Sequence, residues 1–159
     1  MTTAVHALEG SGLGRAMRES LWAYPAVETV HIIGLAIVYG SIVVVDLRLI
    51  GISRGLSAAK LARFALPWTL GAFLVVMLSG SLMFIAHAED FLTNGVFMLK
   101  MGLILTAGVN AGLLHAGAFR SVDTWDVGVL PPMGVRLAAA LSILLWTCVI
   151  ACGRLLAYT

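Results

Sequence analysis

Residues 24–51 read YPAVETVHIIGLAIVYGSIVVVDLRLIG. The stretch is long and apolar enough to cross a bilayer, at about 1.5 Å of rise per residue and some 20 residues per crossing. It nevertheless carries Glu28, His31, Asp46 and Arg48. Ionisable groups are costly inside a membrane, so they tend to face the protein interior and to serve a purpose. These residues set the fold class and supply the first candidate site.

The whole chain supports a membrane setting. Of its 159 residues, 60% are hydrophobic and 11% charged, too little polar surface for a soluble domain of this size. The net charge of +2 and the absence of a basic run exclude nucleic acid as a partner. Cys148 and Cys152 lie four apart in an apolar stretch, where small buried thiols are expected rather than a disulfide.

Apolar stretches predict spans over residues 25–49, 67–87, 96–119 and 135–156. Pro25 and Pro67 suit first helical turns. Residues 1–20 are Gly-rich and are expected to form a mobile or interfacial arm, with 21–159 as one domain. No apolar h-region precedes the first span, which is therefore expected to be an uncleaved anchor. The predicted fold is all-α, an integral membrane four-helix up-down bundle. Arg48, Arg54, Lys60, Arg63, Arg120 and Arg136 cluster at the first and third connections. The positive-inside rule puts those connections in the cytoplasm and both termini outside.

Helical projection at about 100° per residue sorts the polar groups. Glu28, His31 and Asp46 share a face of the first span, while Arg48 at its end can snorkel to headgroups. Phe73, Gly80, Met83 and His87 form a stripe on the second span. Gly108, Ala111, Gly112 and His115 form one on the third; Asn110 projects to a different face. Depth then gives two layers. Glu28, His31, His87, Lys100 and Arg154 belong to the outer half; Asp46 and His115 belong to the inner half, where a loop arginine is expected to pair with Asp46.

The signature Tyr24-Pro25, Glu28-x-x-His31-x-x-Gly34, Gly40 and Asp46-Leu47-Arg48-Leu49-x-Gly51 resembles an uncharacterised family of small bacterial inner-membrane proteins. Shorter matches are Phe97-x-x-Lys100, Asn110, Gly153-Arg154 and Tyr158. The resemblance implies a four-helix fold in the bacterial inner membrane. More distantly, intramembrane histidines in such a bundle resemble the b-type cytochrome and copper-resistance D membrane proteins. No Cys-x-x-Cys-His motif for covalent haem occurs.

Three functions follow as expectations. The first is a haem b protein for electron transfer. His31 and His87 would bracket the iron, His115 being a lesser candidate ligand, with Lys100, Arg154 and Glu28 around the cofactor. The second is copper or proton handling, with Met83 and His87 as copper ligands or Glu28, His31 and Asp46 as a relay. The third is an accessory subunit without chemistry. The expected partners are the lipid bilayer, a redox partner or larger membrane complex, and a second copy of the chain. No hydrolase triad or phosphate-binding loop is present.

Overall fold

The computed structural model describes residues 2–158. Two short helices, α1 (Thr2–Glu9) and α2 (Gly12–Glu19), precede α3 (Ala23–Ile50) and α4 (Ala58–Ala86). Then come α5 (Ala88–Thr93), α6 (Gly95–Ala116), a 3₁₀ segment (Ala118–Thr124) and α7 (Met133–Leu155). No strand occurs among the described residues. α3, α4, α6 and α7 are the four described helices long and apolar enough to span a membrane. Ile32, Leu74, Leu105 and Leu144 are among the large side chains left on the outside of the bundle, as lipid contact requires.

The four long helices do not form a closed bundle. α3 packs on α4 and on α7, and α7 packs on α6, but the backbones of α4 and α6 stay apart, the two meeting through side chains where Phe84 stacks on Phe97. Their order in space is therefore α4–α3–α7–α6, with a cleft between the two outer members. α5 bridges the cleft at the end bearing the termini, and the 3₁₀ segment bridges it at the other. We call these the terminal end and the loop end.

Small residues hold the α3–α4 seam. Ala58, Ala65, Ala72, Ser79 and Ala86 recur every seven positions and are the buried residues of α4. On α3, a Cβ at Gly34 would lie 2.8 Å from Val76 Cγ2 and 3.5 Å from the Ala72 carbonyl oxygen. Lipid supplies no hydrophobic drive between helices, so close backbone approach and dispersion take its place. The larger buried side chains gather at the loop end, where Leu49, Leu114, Trp125 and Val135 form one cluster.

That end is closed by capping chemistry. α3 ends in a Schellman motif. Gly51 adopts φ +115°, its N–H donates to Arg48 O (3.1 Å), and Ile52 N–H donates to Leu47 O (3.0 Å). Arg48 is only 2% exposed. Its Nε donates to Leu56 O (2.6 Å) and its Nη2 to Asp126 O (2.7 Å). Snorkelling was expected; instead the helix turns back at Gly51, so the side chain meets orphan carbonyls of its own connection rather than headgroups.

α4 begins at Ala58, nine residues before the expected Pro67, which sits inside the helix. Ser57 is the N-cap, accepting from Lys60 N (3.1 Å). Asp126 completes the cap, taking the Ser57 hydroxyl (2.7 Å) and the Ala59 N–H (2.8 Å). Those two donors, the Ala59 amide foremost, hold the Asp126 carboxyl below the usual carboxylate range. Its stabilising effect is therefore present above the unfolded value of about 3.9 and is lost as pH falls through the lower folded value. Thermal unfolding in detergent should show Asp126→Ala destabilised by about 1–2 kcal/mol at neutral pH. The gap to the wild type should shrink on acidification; a gap that ignores pH would refute the cap.

The amino-terminal segment, expected as a mobile or interfacial arm, forms the two short helices α1 and α2. Ser11 caps α2 by accepting from Gly14 N (3.1 Å), and Met17 is buried. Arg18 ties the segment to the bundle, donating to Ala86 O (2.8 Å) at the end of α4 and to Glu9 O (2.6 Å). Glu9 in turn accepts from Glu89 N (2.9 Å). Orphan carbonyls at one helix end thus recruit a nearby arginine.

Candidate functional site

Two cavities lie along the α4–α6 cleft. Phe73 and Trp146 line both, edge to face with centroids 6.4 Å apart, and so form the partition.

The terminal-end cavity has a volume of about 380 Å³, within the range of about 300–1,000 Å³ usual for small-molecule sites. His31 lines it. The Ser79 hydroxyl sits 2.7 Å from Val75 O, to which it can only donate, and 2.9 Å from His31 Nδ1. The imidazole can therefore give an Nδ1 proton to Ser79 Oγ. The ring also hydrogen-bonds the backbone of Val76. Gly80 makes room for the ring: a Cβ there would lie 3.2 Å from His31 Cε1.

Lys100 of α6 lines the same cavity. Its Nζ lies beside Gly153, where a Cβ would sit at an ordinary contact distance of 3.7 Å. Among the described residues the ammonium has no carboxylate or other acceptor. Met83 and Met101 add two thioethers. Phe84, Phe91 and Phe97, from α4, α5 and α6, pack at centroid distances of 5.1 to 6.2 Å and close the terminal end of the cleft.

The other residues expected around His31 are elsewhere. α4 ends at Ala86, and His87 leaves the helical path at φ −140°, ψ 46°. Its ring meets Tyr24 edge-on (5.6 Å), and Nδ1 lies 3.6 Å from Asp90. His87 is not among the cavity's lining residues, so it and His31 do not face a common space. A 100° projection carried one residue past the end of a helix misplaces it. Arg154 is exposed, donates to the Tyr158 hydroxyl and lies 4.7 Å over that ring. Glu28 is exposed and outside the cavity.

The loop-end cavity holds about 240 Å³. Asp46 and His115 both line it. Asp46 is 5% exposed, and Ser142 of α7 hydrogen-bonds to its carboxyl. Its Oδ2 has no partner. The expected arginine pairing does not form: Arg136 donates to Ile50 O (3.2 Å), and no ion pair reaches Asp46 among the described residues. His115 donates from Nδ1 to Ala111 O (2.9 Å) and stacks on Phe119 (5.3 Å).

Asn110, expected on a different face from His115, also lines this cavity while donating to Ala138 O (2.9 Å). A cleft as wide as a missing helix contact collects side chains from more than one stripe of α6. The α4 heptad of small residues was equally visible in the sequence, and it marks the face that carries Ser79 to His31.

No curated protein and no solved structure matches the chain. A family model matches residues 12–159, nearly all of it, and the chain accordingly belongs to DUF6644, a family of unknown function.

Proposed function

We propose that the protein binds a b-type haem in the terminal-end cavity and serves membrane electron transfer, with His31 as the axial ligand. The observation that carries this reading is the hydrogen bond between His31 and Ser79 at the wall of the cavity. A ligating histidine normally gives its second ring N–H to a neighbouring acceptor, which orients it; here Ser79 can be that acceptor, and the ring lines an apolar cavity. Lys100 supplies the unpaired cation that a propionate would require, and Phe84, Phe91 and Phe97 keep water from the terminal end. Gly80 leaves the His31 ring its place in the cavity wall. When bound, haem supplies one-electron chemistry, and the chain supplies ligation, charge balance and exclusion of water. Orientation belongs to the same reading, with the arginine-rich loop end on the cytoplasmic side of a bacterial inner membrane.

His31 would hold the iron through its imidazole, and Met83 and Met101 would be the other side chains of the cavity able to ligate it. The test is the absorption of detergent-purified protein, oxidised and dithionite-reduced. A Soret band that shifts on reduction, with an α-band, is expected. A protein that stays colourless after addition of haemin would overturn the proposal.

A second reading rests on Met83 and Met101, which share the cavity with His31. Thioethers with an imidazole suit Cu(I). Copper retained by purified protein, without a haem spectrum, would select it.

A further inference from the structure

The terminal end brings together three metal-ligating side chains that line neither cavity. His6 and Glu9 stand one turn apart on α1, and Glu89 lies in the first turn of α5. One ligand atom from each lies within 4.8 Å of the other two. The fold itself makes this meeting. Glu9 Oε1 accepts the Glu89 N–H (2.9 Å) across 80 residues of sequence. Arg18 fastens the Glu9 carbonyl to the end of α4 through its second bond, to Ala86 O. Two distant segments are thus held side by side by bonds to backbone, with the imidazole and both carboxyls at the junction.

The charges at this junction are not balanced by the chain. Arg18 gives its nitrogens to the carbonyls of Ala86 and Glu9 and to neither carboxylate. Among the described residues no lysine or arginine forms an ion pair with Glu9 or Glu89. His6 Nδ1 stands 4.0 Å from Glu89 Oε2, beyond hydrogen-bonding reach. An exposed pair at that distance is worth little, and two carboxylates brought together disfavour each other's charge. A cation between them reverses the sign of that interaction. Ligand atoms about 2.0–2.2 Å from a tetrahedral ion stand roughly 3.4 Å apart. Small rotations of the exposed His6 and Glu89 side chains close the set to that spacing.

We propose that His6, Glu9 and Glu89 form a surface site for a divalent transition-metal ion of the zinc type, which pins α1 to α5. Glu9 can keep Oε1 on the Glu89 amide and offer Oε2 to the ion. Two carboxylates neutralise a 2+ charge, and with one imidazole they leave the fourth position of a tetrahedral ion to water. The imidazole selects against calcium and magnesium, which take oxygen ligands. The site lies outside the haem cavity and needs no haem to form. α5 also carries Phe91, which packs on Phe84 and Phe97 at the terminal end of the cleft. An ion bound here would hold that closure in place.

Full-length untagged protein in detergent, stripped with a chelator, is titrated with zinc by calorimetry. One zinc per chain is expected, with a raised melting temperature and slower amide exchange over Ala88–Thr93. His6→Ala and Glu89→Gln should each weaken binding about tenfold or more, at least what the loss of an outer-shell partner costs. Both side chains are exposed, so neither change threatens the fold. His87→Ala and Asp90→Asn, the neighbouring pair 3.6 Å apart, should leave the affinity unchanged. Absence of saturable zinc binding would overturn the proposal. So would zinc binding that survives His6→Ala and Glu89→Gln, binding lost in His87→Ala instead, or calcium binding as tight as that of zinc.

Discussion

Replacing His31 with alanine is expected to abolish the Soret and α-bands while leaving a folded protein. The imidazole is half-buried and lines a cavity, so its loss enlarges that cavity rather than unpacking a core. Ser79 keeps its bond to Val75 O, so no buried hydroxyl is orphaned, and the expected cost is about 1 kcal/mol. Loss of a ligand, in contrast, removes the whole spectroscopic signal. Gly80→Val should act almost as strongly without touching the ligand, because even a bare Cβ there comes within 3.2 Å of His31 Cε1. Ser79→Ala should keep the bands but shift the midpoint potential, since it frees the ring's orientation and lowers its basicity. His87→Ala and His115→Ala should leave the spectrum unchanged, since neither ring lines this cavity. A spectrum lost in His87→Ala and kept in His31→Ala would sink the assignment.

Much of this arrangement is readable from residues 24–51, and the rest fails for identifiable reasons. Hydropathy gives the four long helices, because lipid forces every backbone group into a helical bond and leaves the outward faces apolar. Projection finds the stripes of Phe73, Gly80 and Met83 and of Gly108, Ala111 and His115. It fails at His87, where the helix has ended, and at Asn110, where an absent contact widens the cavity. Counting from hydropathic edges misses the true start of α4, because the cap at Ser57 depends on Asp126, which comes from the third connection. The α4–α6 cleft is illegible for a deeper reason. Gly108-x-x-x-Gly112 announces a close approach, but sequence spacing does not say whether the approaching body is a helix of the same chain.

Arg48→Ala should be the most destabilising single change at the loop end, by about 3–5 kcal/mol, from two charge-assisted hydrogen bonds and the carbonyls they leave unsatisfied. Arg48 joins three separate pieces of chain: the end of α3, the turn through Leu56, and the third connection at Asp126. Its removal therefore loosens the Ser57 cap and the seat of Trp125, both of which rest on the same connection. Arg48→Lys should recover only part of the loss, because an ammonium cannot make two bonds in the fixed directions of a guanidinium. Thermal unfolding in detergent, with amide exchange over residues 51–58 and 118–126, measures both. A change below about 1 kcal/mol, the range of a surface ion pair, would return Arg48 to the snorkelling role. The contrast with Asp46, two residues earlier, is the sharper test. Both are charged residues of one D-L-R-L motif in one helix, and both are almost fully buried. Arg48 is satisfied on two of its nitrogens by the fold itself, its Nη1 alone lacking a partner, so its loss should cost stability. Asp46 is left half-satisfied, so replacing it with leucine should cost little stability or none. If the two substitutions destabilise equally, the motif is structural throughout.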